Sequence, residues 1–319
     1  IEESIGDAGS SRVEPTDVIT ALEGITARAG AGVTVTHVPG TTLDAAGEAT
    51  VRASDVVVIV TGLQEEDEGE SDIGAGDRAS LAVPANEVAL IEAVAAIHPA
   101  VVVVLEGGAA LLTDPFERDV EALLFAFYPG SEGGAALAEI LFGDASPSGR
   151  LPFSIPVAEA DLVPFDSVSA EVTYGFFHGY RHLMNEGTPA SHAFGEGLSY
   201  TTFDHSGLTL SATTIAPGDT VDVTVTVTNV GTVAAIETVQ VYVAPMGSRV
   251  MRAPHDLRAF AQVTLDPGEA QPVTMTIRSD DLAFWDEAAD AFEVEMIDYE
   301  VRVARSADDV VLTTTLSIR

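Results

Sequence analysis

The chain has 319 residues and 46% hydrophobic content, enough to fill two cores and more than one ordinary core uses. Its formal charge is −36, from 50 acidic against 14 basic residues, and every basic residue is arginine. Such a surface repels nucleic acid and anionic membranes, so neither is expected as a partner. Self-repulsion on this scale disfavours a compact state unless salt screens it, which points to a salt-rich milieu. The compartment is left open, with secreted or periplasmic favoured. Drift in a GC-rich genome is the alternative; it explains arginine over lysine better than the acid surplus. Without cysteine there are no disulfides, no thiolate chemistry and no cysteine-held metals, and the redox compartment stays open. No apolar run reaches the length of a membrane span. The opening "IEESIGDAGSS" has neither the basic nor the apolar region of a signal peptide, and it reads as internal to something longer.

Along the first half, strand and helix patterns alternate. "TDVITALEGITARAG" predicts a helix that starts at Thr16 or Asp17, turns Val18, Leu22 and Ile25 to one face and stops at Gly30. "VTVTHV" (33–38) is strand-like. "VVVIV" (56–60) and "AVVVVLEG" (100–107) are the continuous β-branched runs of parallel strands covered on both faces. Between them, "PANEVALIEAVAAIHP" has helical spacing from Pro84 to Pro99. "DPFERDVEALLFAF" predicts a helix running into a short strand, and "EGGAALAEILFG" another helix. This alternation predicts a parallel α/β sheet.

Near residue 145 the character changes to a Pro-, Ser- and Asp-rich connector. From about Thr201 the pattern is all β: "TVDVTVTVTNVGTVAAIETVQVYVAP" alternates, breaks at Asn229 to Gly231, and alternates again. Later runs repeat the plan, predicting an immunoglobulin-like sandwich. The fold class expected is therefore α/β followed by all-β, with an α/β domain over 1–156, a connector over 157–203 and a sandwich over 204–319.

Several stretches carry possible chemistry. "GAGDRA" (74–79) matches the dinucleotide fingerprint formally, but an acidic loop separates its glycines from the strand and no ribose-binding acid follows at the right distance. "YPGSEGG" has Pro129 where a nucleophile elbow needs glycine, so Ser131 or Glu132 reads as a helix start. His178 and His182 in "HGYRH" lack a neighbouring carboxylate ligand and read as loop or strand histidines. No metal and no cofactor is expected. "GLQEEDEGESDIGAGDR" (62–78) packs Glu65, Glu66, Asp67, Glu68, Glu70, Asp72 and Asp77 into one loop after a buried strand. Crowded carboxylates raise one another's pKa, which suits a general acid, and the carboxyl end of a parallel strand is where such sheets place function. On composition alone a solvated acidic loop is the favoured reading.

The ordered series "GLQEEDEGESDIGAGDRASLAVP", "FYPGSEGGAALAEILFGDASPSGRLPFSIP", "TYGFFHGYR", "FGEGLSYTTF" and "DLRAFAQVTLDPGEAQPVTMTI" with "LAFWD" resembles the C-terminal half of a glycoside hydrolase family 3 enzyme of the β-glucosidase or exo-glucanase type. The resemblance covers essentially the whole chain. It implies an α/β sandwich domain and a fibronectin-III-like domain that follow a (β/α)8 barrel, with a retaining reaction whose aspartate nucleophile sits on that barrel. It also implies a general acid/base glutamate on the acidic loop. Glu68, before Gly69 and ahead of Gly76, Asp77 and Arg78, fits best, with Glu70 and Glu66 as runners-up. Asp77 and Arg78 are expected to support the loop as a charge-assisted pair.

No segment here resembles the barrel or its nucleophile motif. Glu196 stands where the family often has histidine, read as a surface change, and Ile297-Asp298 replaces a Pro-Gly-Asp turn. Tyr128, Pro129, Gly130 and "GRLP" are expected to shape turns and the domain interface, and Trp285 to sit in the core. The implied partners are a β-glucoside or β-glucan oligosaccharide and the barrel, as a domain or a separate chain. By itself the chain is expected to be inactive. A non-catalytic module that binds carbohydrate or protein is the rival reading, and β-xylosidase or another exo-glycosidase the rival within the enzyme class.

Overall fold

The computed structural model describes residues 15–64, 67, 78, 80–164, 166 and 169–319. They divide into two compact units, one falling within Ile1–Ala145, Ile155–Ala160 and Phe165–Ala170, the other within Ser146–Ser154, Asp161–Pro164 and Glu171–Arg319. The first is α/β and the second all β apart from short helices, as the patterns predict.

The first unit is built on a three-stranded sheet in the order β1 (Val57–Gly62), β2 (Val101–Glu106) and β3 (Ala122–Phe127), parallel throughout. Val101, Val103 and Leu105 are fully buried beside Ile59, Ile91, Leu111 and Phe116, forming one core. Among the described residues, four α-helices accompany the sheet: α1 (Ala21–Ala29), α2 (Ala45–Ala53), α3 (Ala85–Ala95) and α4 (Gly133–Leu141). Helix α1 begins later than the periodicity suggests, because Thr20 and Glu23 form a reciprocal capping box. Two expectations change. Among the described residues, 33–38 join no sheet and leave Val33 half exposed, and "DPFERD" makes only a 3₁₀ turn at Glu117–Asp119 before β3.

In the second unit, strict alternation puts Val221, Val223, Val225 and Val227 of one strand into a core with no exposure at all. One sheet has three strands, β4 (Phe203–Leu210), β6 (Thr220–Asn229) and β9 (Ala270–Arg278), with β6 central. The other runs β8 (Asp256–Leu265), β7 (Ala235–Met246), β12 (Asp298–Ser306), β13 (Asp309–Ile318), β5 (Thr214–Ile215). β10 (Phe284–Asp286) and β11 (Ala291–Glu293) form a separate hairpin. Strand β7 is buried on both faces. Val239, Val241 and Val243 enter the main core, while Tyr242 packs with Ala304 and Ala307 beneath Tyr180, Met184 and Phe194. Tyr180 and Met184 belong to helix α5 (Tyr180–Glu186), so His182 is helical and not in a loop or strand as expected.

Candidate active site

Parallel sheets offer function where the carboxyl ends of their strands open into loops. Here those ends are tightly built. Gly62 closes β1 at φ 132°, and a Cβ on it would lie 2.0 Å from the Glu106 carbonyl oxygen, so no side chain fits between β1 and β2. Phe127 ends β3 at φ 55°, a conformation non-glycine residues rarely take, and its carbonyl accepts from the Gly107 N–H at 3.2 Å.

The acidic loop departs from this edge. Leu63 donates its N–H to the Glu106 carbonyl at 2.9 Å and is 4% exposed. Asp67 folds back on Gln64: its carboxylate accepts from the Gln64 N–H at 2.9 Å, and its own N–H donates to the Gln64 carbonyl. The returning arm is fastened more heavily. Half-buried Arg78 donates from Nη2 to the Ala110 carbonyl at 3.1 Å. Leu112 donates to the Leu81 carbonyl at 2.9 Å, and Ala82 bridges Leu112 in parallel. Ser80 Oγ and the Leu81 N–H both donate to Glu159 Oε2. Val83 then enters the same core as Leu63.

Glu66, Glu68, Glu70 and Asp77 lie outside the described residues, and so does the expected Asp77–Arg78 pair. The residue that sequence reasoning missed is Glu87. It stands third in helix α3, 5% exposed, and its Oε2 accepts the Gly62 N–H at 2.9 Å. Burial pushes its carboxyl above the usual range; the Gly62 N–H works against that rise and the Asp67 charge adds to it. The signal was available in the sequence. A glutamate at this position usually reaches back to the capping residue's N–H, but the cap here is Pro84, which has none.

The second unit explains the remaining motifs. The "GRLP" and "FGEGLSY" runs clasp each other: Gly195 donates to the Leu151 carbonyl at 2.8 Å and Leu151 to the Glu196 carbonyl at 2.9 Å. Gly195, at φ 81°, presses against Gln240, whose Nε2 donates to the Gly195 and Arg305 carbonyls while its Oε1 accepts from the Tyr242 hydroxyl. Arg150 reaches into the sandwich and pairs with Glu237 at 2.9 Å, and His205 Nε2 lies 3.4 Å from the same carboxylate.

Two expectations fail here. Glu196 is no mere surface change, since it accepts from His192 Nδ1 and the Ala193 N–H and holds the turn. Burial raises its pKa, but these two bonds outweigh that and leave it below the usual range. Trp285 is not in the core. It is half exposed on the β10–β11 hairpin, edge-on to Phe292 at 5.2 Å, because the alternation there turns Asp286 inward toward Arg249. Among the described residues, no group of three His, Asp or Glu could hold a metal ion.

Residues 2–200 match the glycosyl hydrolase family 3 C-terminal domain, and residues 237–307 match a fibronectin type III-like domain. The chain is 35% identical, over 97% of its length, to an exo-α-(1→6)-L-arabinopyranosidase of Bifidobacterium breve, and 32% identical, over 98%, to thermostable β-glucosidase B of Acetivibrio thermocellus. It spans only 42% of each of those relatives. Among solved structures it is similar to the β-D-glucoside glucohydrolase of Trichoderma reesei, with a TM-score of 0.88 at 30% identity over 95% of this chain and 45% of that one.

Proposed function

The chain belongs to glycosyl hydrolase family 3, and from that premise we propose that it is the non-barrel portion of a retaining, exo-acting β-glycosidase. The substrate is a β-glucoside or β-glucan oligosaccharide, from which terminal non-reducing β-D-glucosyl residues are removed. The observation that carries the reading is the neck of the acidic loop. Its two roots, Leu63 and Val83, are buried in one core at the functional end of a parallel sheet. A general acid/base must be held in place to work, and a loop rooted this firmly can hold one.

Glu68 is the proposed proton donor, with Glu70 and Glu66 next in line. Asp67 is a poorer candidate because its carboxylate is committed to the Gln64 N–H. In the first step Glu68 protonates the departing glycosidic oxygen; in the second it takes a proton from the water that releases the sugar. The nucleophile comes from a (β/α)8 barrel, as a preceding domain or separate chain, which is in keeping with a chain that spans less than half of its relatives. Without that barrel no glycosyl-enzyme forms, and the chain alone is inactive. Arg78 fixes the returning arm of the loop. The proposed domain division is 1–156, 157–203 and 204–319.

The test is hydrolysis of aryl β-glucosides by the chain combined with its barrel. Glu68→Gln should lower kcat by roughly 10²–10⁴ on a substrate with a poor leaving group and much less on one with an activated leaving group. Equal activity in wild type and Glu68→Gln sinks the assignment and moves it to Glu70 or Glu66. Binding of β-glucan without hydrolysis, and without dependence on any of the three, favours the non-catalytic module. The match to an arabinopyranosidase favours one further reading, an exo-glycosidase for another sugar, so an aryl α-L-arabinopyranoside and an aryl β-xyloside belong in the same assay.

A further inference from the structure

Residues 62 and 87 stand at the two ends of the segment that carries the candidate acid/base. The departing end is Gly62, whose backbone is pinned against Glu106 with no room for a Cβ. Its N–H cannot be satisfied by a neighbouring strand, because β1 is the edge of the sheet among the described residues and β2 is served instead through Leu63. A buried N–H without an acceptor is costly, and the acceptor supplied is a carboxylate from the far side of the loop. That carboxylate is available only because Pro84 gives Glu87 no capping N–H to return to. The main-chain N–H of Glu87 is already used on the Pro84 carbonyl at 2.9 Å, which fixes the first turn of α3 and with it the starting point of the side chain.

We propose that Glu87 is a positioning residue for the acid/base loop: its carboxylate ties the loop's departing arm to the helix that follows its returning arm and so sets where the proton donor stands. The inference rests on the acid/base reading above. Glu87 touches neither sugar nor reacting atoms; it acts through the Gly62 N–H and the direction in which the chain leaves β1. The hydrogen bonds of Arg78 to Ala110 and of Ser80 and Leu81 to Glu159 fasten the returning arm. The Gly62–Glu87 hydrogen bond joins the start of the loop to the helix that follows its returning arm.

The experiment uses the chain combined with its barrel and compares wild type, Glu87→Met and Glu87→Gln. Methionine keeps the length and fills the space but accepts no comparable hydrogen bond; glutamine keeps an acceptor oxygen. Amide hydrogen exchange at Gly62 should accelerate about tenfold or more in Glu87→Met while the amides of Val103 and Val104 stay protected. On an aryl β-glucoside, kcat should fall by about 10- to 100-fold with KM changed by less than about threefold, as displacement of a positioned group predicts. Glu87→Gln should restore both to within about threefold of wild type. If Glu87→Met does not fold, Glu87→Asp, too short to reach Gly62, takes its place with the same expectations. Unchanged Gly62 exchange overturns the tie. Fast exchange with an undiminished kcat overturns the positioning role and leaves the acid/base reading standing. Glutamine as damaging as methionine overturns the acceptor argument. A wild type that hydrolyses no glycoside sinks the acid/base reading itself, and the positioning role with it.

Discussion

Gly24 of helix α1 and Gly134 of helix α4 meet backbone against backbone. A methyl group on Gly24 would lie 2.0 Å from the Gly134 carbonyl oxygen, and one on Gly134 would lie 2.0 Å from the Thr20 carbonyl oxygen. The Gly134 N–H also donates to the Ile19 carbonyl at 2.9 Å, so the two helices are stitched by main chain where they cross. Gly24→Ala or Gly134→Ala should therefore destabilise the first unit by roughly 1–3 kcal/mol, the usual cost of overpacking. Gly32→Ala, which meets nothing within 4 Å, should change little. Denaturant unfolding in salt compares the three, and equal midpoints for Gly24→Ala and wild type would remove the close approach as a constraint.

His255 makes stability depend on pH. It is 2% exposed, and burial first, then the Arg302 charge, push it from its ordinary 6.5 down to about 4, with Asp256 and Glu300 opposing. Arg302 Nη1 donates to its Nδ1 at 2.7 Å, which needs a neutral ring. As pH falls below 6.5 the unfolded chain gains a proton that the folded chain refuses until about pH 4. Stability is therefore full above 6.5 and drops across that window, by about 3 kcal/mol from this group. His255→Gln keeps an acceptor and removes the titration, so its unfolding free energy should decline less between pH 7 and pH 4.5. Identical slopes in the two proteins would count against the assignment.

The Arg150–Glu237 pair should behave as a buried ion pair. The two side chains are 12% and 4% exposed. Breaking such a pair strands a charge and costs about 3–5 kcal/mol, whereas replacing both members with apolar residues costs far less. Arg150→Met and Glu237→Met should each destabilise by that amount, and the double variant by less than either. Additive losses would show that the charges do not depend on each other.

Trp285 is the one tryptophan, and its exposure makes it a reporter. Neutral acrylamide should quench its fluorescence efficiently, while iodide, repelled by the acidic surface, should quench it weakly at low salt and better at high salt. Phe292→Ala should change stability by less than about 1.5 kcal/mol, since only an exposed edge-on ring contact is lost. Poor quenching by acrylamide would contradict the hairpin's placement of the indole.

With 50 acidic residues against 14 arginines, thermal stability should rise steeply with salt. Raising NaCl from about 0.1 to 1 M shortens the screening length from about 10 Å to about 3 Å and weakens the self-repulsion. A Tm that is flat or falling over that range, by calorimetry, would mean that the acid surplus does not govern stability.

The sequence was most legible where burial imposes periodicity. The β-branched runs of β1 and β2 and the alternating valines of β6 can serve only one purpose, and both units follow from them. It was least legible where the outcome depends on a partner distant in sequence. "VTVTHV" alternates like a strand, but among the described residues it pairs with no other strand. An indole is large and apolar, which argues for core; which face of a hairpin Trp285 takes depends on Asp286 turning inward to Arg249 across 37 residues. Glu196 and Glu87 read as two more acids in an acidic chain. Each is a structural acceptor. Pro84 hints that Glu87 must look elsewhere than its own cap, but only the folded positions of Ala193 and Gly62 show which N–H each carboxylate takes.

The clasp that Gly195 makes with Gln240 bears on where this chain can be cut. The residues that match the fibronectin type III-like domain begin at 237, yet the strand they open with is buried on both faces. A fragment started at Phe203 would strip Phe194 and Tyr180 from above Tyr242 and remove Arg150 from Glu237. It would present an apolar sheet face to water and leave Glu237 without its arginine. Scissors placed before Ser146 leave that covering in place, so the transplantable piece is longer than the domain's usual outline.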